Sequence, residues 1–181
     1  AENLPTAQKV DAVICATSLV VPTLTAIAQD REVAIGAQTM HYENEGAFTG
    51  EVSPAQLASV GVDYVVLGHS ERREYYNETD EAVNKKVAAA LAHDIVPIIC
   101  CGETLQERET QQTATKVTTQ ITKALEGFTA EQVAHFVGQL VQVKQQQLNK
   151  RMKCAVSSVM SLRTCMTKQQ RMPCVFNTVV A

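Results

Sequence analysis

The sequence predicts an α/β fold built on a parallel sheet that is covered on both faces. Three observations lead there. Residues 10–15, 33–37, 64–67 and 95–101 are short, almost continuously apolar runs, the pattern of strands buried on both sides rather than the alternation of a half-exposed sheet. The stretches between them carry helix starts, with Pro or a capping residue ahead of an apolar stripe. Strand and helix therefore alternate, and strands joined through helices pair in parallel as right-handed βαβ units.

Each element follows from local chemistry. Residues 10–15 form the first strand, and Pro22 opens a helix running to Gln29, where a missing N–H costs nothing in the first turn. Residues 33–37 form the second strand, followed by a loop from Gln38 to Ser53 that is too long for a simple connection and marks a functional or interface element. Ser53-Pro54 gives an N-cap with Pro at the first helical position, and a short helix to about Val60. Tyr64–Leu67 is the third strand. Thr79-Asp80-Glu81 opens a helix to about His93, with Ala82, Val83, Val87, Ala90 and Leu91 on one face. Residues 95–101 are the fourth strand, after which a long polar helix is expected from Leu105 to Leu125 and another over residues 129–136. Periodicity alone leaves open a doubly wound sheet or part of an eight-stranded barrel.

The 181 residues suffice for one domain with a substantial core. No apolar run approaches the ~20 residues of a membrane span, and no signal peptide precedes the first strand-like segment. The six cysteines are not spaced as metal ligands; Cys100 and Cys101 are adjacent on a strand, point to opposite faces, and read as buried free thiols. A reducing, cytoplasmic home is the resulting expectation. No Gly-rich dinucleotide fingerprint follows any strand, which argues against nucleotide binding. The net charge of −3 hides an asymmetry. Residues 1–137 hold nine Lys/Arg and all nineteen Asp/Glu, net −10, whereas residues 138–181 hold seven Lys/Arg and no acid, net +7.

The residues with most chemical content are Gly68-His69-Ser70-Glu71-Arg72-Arg73, at the C-terminal end of a strand, where α/β folds place their chemistry. Gly68 permits unusual backbone angles or close approach, and Ser70 and Glu71 are polar partners able to fix the His69 tautomer. Glu71 is expected to be partly buried and to need Arg72, Arg73 or a backbone donor. Arg72, Arg73 and Glu51 fit either an ion-pair cluster or a direct role in the site. Phe48-Thr49-Gly50 at the tip of the long loop offers apolar area and a turn suited to insertion into a partner. His41 and His93 read as ordinary histidines.

Three segments together resemble the triosephosphate isomerase family: Val33-Ala34-Ile35-Gly36-Ala37-Gln38 with the loop from Gly46 to Ser53, Tyr64 through Arg73, and Pro97-Ile98-Ile99-Cys100-Cys101-Gly102-Glu103-Thr104. The likeness runs from about residue 1 to Val137. It implies a partial (β/α)8 barrel, α/β, holding about strands two to five with their helices. It also implies interconversion of dihydroxyacetone phosphate and glyceraldehyde 3-phosphate through an enediolate, without metal or cofactor. In that family the histidine after strand four is a neutral electrophile that polarises the substrate carbonyl; the corresponding residue is His69. By the same likeness Ser70, Glu71, Arg72 and Cys100 support the site, while Thr49, Gly50 and Glu51 belong to the loop that docks into the partner of a homodimer.

Other family features have no counterpart in these 181 residues: the Asn-x-Lys at the end of the first strand, the catalytic Glu in a Y-E-P-I-W segment, the lid, and a late Gly-rich phosphate loop. Back-translating residues 138–181 with permitted codons and shifting the frame by one base allows A-I-G-T-G-K near the start and Q-Y-G-G-S at the end, in the order of the family's lid and seventh strand. The expectation is a partial barrel domain over residues 1–137 and an irregular, frameshifted, poorly ordered tail over 138–181, with little or no isomerase activity. The alternatives are a non-catalytic fragment, or a basic tail that binds nucleic acid or an anionic membrane; the family reading calls for neither nucleic acid nor membrane.

Overall fold

A computed structural model describes residues 12–140. Five parallel strands form one sheet in sequence order: β1 (Val13–Ala16), β2 (Ala34–Ala37), β3 (Tyr64–Leu67), β4 (Val96–Cys101) and β5 (Val137–Leu140). Helix α1 (Val21–Ala28) joins β1 to β2, and α2 (Pro54–Ser59) lies between β2 and β3. Two helices, α3 (Ser70–Tyr75) and α4 (Asp80–Leu91), connect β3 to β4. Three more, α5 (Leu105–Glu109), α6 (Thr113–Ala124) and α7 (Ala130–Val133), connect β4 to β5. Every strand thus pairs with the strand just before it, in registers such as Leu67↔Ile99 and Cys100↔Gln139.

Alternation along the strands separates two apolar layers. Ile35, Ala37, Val65, Leu67 and Ile99 face the helices and merge with Val21, Leu57, Val83, Val87 and Ala90 into the main core. Cys15, Val66, Ile98 and Cys100 form a smaller cluster on the other face, with Val13, Tyr64 and Val137 against it. Residues one apart in a strand point to opposite sides, which is why Ile99 and Cys100 belong to different layers. Both faces carry buried residues, as the continuous apolar runs required.

The caps follow the sequence closely. Ser53 accepts from the Gln56 N–H while the Gln56 side chain accepts from the Ser53 N–H, a reciprocal capping box with Pro54 next to it. Thr79 accepts from the Ala82 N–H to start α4, and Thr104 with Glu107 repeats the capping box at α5.

Three expectations need correction, and one helix was not foreseen. A fifth strand is present, and it runs across residue 138, so the first three residues of the expected irregular tail extend the sheet; the remainder of the tail lies outside the described residues. Ser70–Tyr75 is helical although it has no apolar stripe; it buries none of its residues and rests on its cap and on charge pairs. The single helix expected over 105–125 is two. Gln111 adopts a left-handed conformation, φ +59°, which ends α5 and redirects the chain so that Val117, Gln120 and Ala124 of α6 are buried. Asn84 of α4 then donates to the carbonyls of Ala124 (3.2 Å) and Glu126 (2.9 Å), locking α6 beside α4. Over residues 129–136 the helix is only the four residues of α7, again started by a capping box, Thr129 with Gln132.

Candidate active site

The C-terminal ends of the strands bring the singled-out residues to one rim. Gly68 and His69 follow β3, Cys100 and Cys101 end β4, and Gln38, following β2, reaches the Cys15 carbonyl with its side-chain amide at 3.4 Å. His69 is the N-cap of α3, and its Nδ1 accepts from the Glu71 backbone N–H at 3.3 Å. A ring nitrogen that accepts carries no proton, so this contact selects the neutral tautomer with the proton on Nε2. The Glu71 carboxylate lies 3.7 Å from the same Nδ1, and with Nδ1 unprotonated that approach is not an ion pair.

Glu71 is not buried. Its side chain is 67% exposed, in the first turn of α3, which starts at Ser70. The buried carboxylate of this rim is Glu78, 2% exposed. One of its oxygens accepts from the Gly68 N–H at 2.7 Å. The other accepts from Arg72 Nε at 3.2 Å and Lys86 Nζ at 2.7 Å. Burial alone raises the carboxyl pKa, but the Lys86 hydrogen bond and charge, the Gly68 N–H and Arg72 outweigh it and hold Glu78 below its ordinary 4.5. Arg72 also lies over the Tyr76 ring, 4.6 Å from its centroid.

Arg73 ties three elements together. Its Nε donates to the Gly68 carbonyl at 2.7 Å, Nη1 to Asp80 of α4 at 2.5 Å, and Nη2 approaches the Cys100 carbonyl of β4 at 3.5 Å. Arg72 and Arg73 are thus both paired, whereas Glu51 is exposed in the long loop and takes no part in these pairs.

Cys100 is fully buried, and its thiol is pushed up to about 12 by burial, with smaller contributions from its neighbours. Its sulfur faces the Gln139 side-chain oxygen on β5 at 4.0 Å. Thr49, Gly50 and Glu51 are exposed at the far end of the long loop. The neck of that loop is closed by the His41 N–H donating to the Val52 carbonyl at 2.8 Å, and His41 packs on Tyr42 and Phe48 with ring centroids 4.3 Å away in each case. His93 Nδ1 lies 2.9 Å from the Ala89 carbonyl one helical turn back.

Sequence reading passed over Glu78, Asp80 and Lys86. Lys86 carried a signal: it sits three residues after Val83 and four before Ala90 on the stripe that α4 buries, and a lysine within an apolar stripe requires a buried partner. Among the described residues no cluster of three or more His, Cys, Asp or Glu is placed to hold a metal ion, and no helix is long and apolar enough to cross a membrane.

The family model of triosephosphate isomerase matches residues 1–138. The chain belongs to the triosephosphate isomerase family. It is similar to the crystal structure of triosephosphate isomerase from Bartonella henselae, with 26% identity and a TM-score of 0.76 over 94% of this chain and 71% of that one. The five-stranded parallel sheet with its helices is accordingly part of a triosephosphate isomerase barrel, and the His69 rim lies at the strand ends, where barrels of this kind carry their sites.

Proposed function

We propose that the rim of this chain is built for the triosephosphate isomerase reaction, the interconversion of dihydroxyacetone phosphate and glyceraldehyde 3-phosphate through an enediolate. His69 polarises the substrate carbonyl as a neutral hydrogen-bond donor. The observation that carries this reading is the Glu71 N–H directed at His69 Nδ1, which leaves the proton on Nε2. Ser70, Glu71 and Arg72 shape α3 behind the imidazole, and Cys100 backs the rim from β4. Thr49, Gly50 and Glu51 are offered to a second copy in a homodimer, and the buried free thiols Cys15, Cys100 and Cys101 fit a reducing cytoplasm.

Proton abstraction needs a base within hydrogen-bonding reach of the transferred proton. The strand that follows β4 presents Gln139 next to Cys100, and an amide oxygen is a poor proton acceptor. The 181 residues also hold no Asn-x-Lys at a strand end and no Y-E-P-I-W segment. We therefore propose that the 181-residue polypeptide by itself has little or no isomerase activity, and that residues 138–181 are translated out of the family's frame. A coupled isomerase assay on the purified chain tests the first statement, and a rate like that of a complete family enzyme would overturn it. Sequencing the coding DNA tests the second; a gene in which no frame encodes the lid sequence would end it.

A further inference from the structure

We propose that Arg73 and Glu78 are positioning residues for His69, acting as a two-sided clamp on the peptide units that flank Gly68. The inference deepens the reading above, since aiming the imidazole matters to chemistry only if His69 meets the carbonyl. Its test does not pass through turnover.

The clamp is visible in the hydrogen bonds. Glu78 takes the N–H of the Leu67–Gly68 peptide at 2.7 Å, and Arg73 Nε holds the carbonyl of the Gly68–His69 peptide at 2.7 Å. Both peptide planes adjoining Gly68 are therefore fixed from opposite ends. Without these contacts Gly68 would be a natural hinge, because it has φ +71° and glycine populates several basins at little cost. His69 inherits whatever orientation the second plane takes, and its own carbonyl accepts from the Arg73 N–H at 3.0 Å.

The clamp is itself anchored. Glu78 is held by Arg72 and Lys86, and Arg73 by Asp80 at the start of α4. Charge-assisted bonds of this kind are short and directional, and a guanidinium offers a rigid fork of donors that an ammonium cannot reproduce. Arg73 satisfies acceptors just after β3, on β4 and on α4 at once. A lysine at this position keeps the charge and can follow Asp80, but cannot hold the Gly68 carbonyl in the same geometry.

The experiment compares Arg73→Lys and Glu78→Gln with Asp80→Asn in the full 181-residue chain, using 15N NMR of the His69 ring and hydrogen exchange of the Gly68 amide. The wild type is expected to show one His69 tautomer, unprotonated at Nδ1, and a protected Gly68 amide. Arg73→Lys, which loses the Gly68 carbonyl, should give averaged ring signals, and Glu78→Gln, which weakens the charge-assisted bond to the Gly68 N–H, should give on the order of tenfold or greater loss of Gly68 protection. Asp80→Asn weakens only the outer anchor of Arg73 and leaves the Gly68 carbonyl bond in place, so it should shift the His69 signals less than Arg73→Lys does. If Arg73→Lys and Asp80→Asn lower stability alike and neither moves the ring signals, the arginine is a structural brace and the proposal fails. Should Arg73→Lys not fold, the wild-type measurement decides: mixed tautomers or an unprotected Gly68 amide overturn the clamp. None of these outcomes depends on isomerase activity, so the proposal and the assigned reaction stand or fall separately.

Discussion

Replacing Gly68 by alanine isolates the tightest point of the rim, and Gly61 provides its control. Both glycines are left-handed, at φ +71° and +77°. An L-residue held in that region costs about 1–2 kcal/mol, so Gly61→Ala should destabilise by that amount, since a Cβ there meets nothing within 4 Å. At Gly68 the same Cβ lies 2.7 Å from Arg73 Nη2, 3.1 Å from the Cys100 carbonyl oxygen and 3.1 Å from Val83 Cγ2. The guanidinium is pinned by three acceptors, and the carbonyl belongs to a central strand, so neither gives way cheaply. Overpacking of this kind adds about 1–3 kcal/mol, for a total of about 2–5 kcal/mol against a domain stability of roughly 5–15 kcal/mol. Urea unfolding followed by circular dichroism reads the difference. With a slope of about 2 kcal/mol per M, Gly68→Ala should lose roughly 0.5–1.5 M more in midpoint than Gly61→Ala. Equal midpoints for the two variants would refute the claim that the Gly68 backbone is packed against Arg73, Cys100 and Val83.

Lys86→Met removes a buried partner of Glu78 and should cost about 3 kcal/mol at neutral pH, as breaking a buried pair does; an unchanged thermal midpoint would count against it. Because Glu78 is held below its ordinary 4.5 in the fold, its contribution is present above that pH and is lost as pH falls through the lower folded value. The acid limb of the wild-type stability profile should therefore steepen below about pH 4.5, and Lys86→Met should flatten it. Burial pushes the Cys15 thiol to about 11 and Cys100 to about 12, so at pH 8 a maleimide should leave peptides containing Cys15 and Cys100 unmodified until the chain is unfolded. Labelling of either in the folded state would contradict the packing. Gln111→Gly relieves a left-handed residue at the α5–α6 break and should stabilise by about 0.5–1 kcal/mol; a lower midpoint would show that the Gln111 side chain matters.

The strands that were easiest to read are those buried on both faces, where burial leaves no room for polar residues: Val65 through Leu67 and Ile98 through Cys101 are nearly solvent-free. β5 escaped notice because Val-Gly-Gln-Leu lacks that uniformity, with Gly138 exposed and Gln139 turned toward Cys100. α3 was invisible to periodicity since Ser-Glu-Arg-Arg-Glu-Tyr buries no residue. The break at Gln111 occurs without Gly or Pro, and it follows from how α6 must lie on α4, a tertiary demand that local propensity does not encode. At the site, His69 was legible from its place after an apolar run. The choice between Glu71 and Glu78 as the buried carboxylate was not, because it depends on α3 and α4 folding back to bring Arg72, Lys86 and Gly68 onto one side chain.

The strictly sequential strand order has a kinetic consequence. Each described strand docks on its immediate predecessor, so pairing a new strand never requires a part of the chain beyond the next crossover. Loop-closure entropy is then incurred one crossover at a time. Such a chain is suited to being assembled vectorially as it leaves the ribosome, β1 and β2 first, with the Gly68 rim completed only when β4 supplies the Cys100 carbonyl to Arg73.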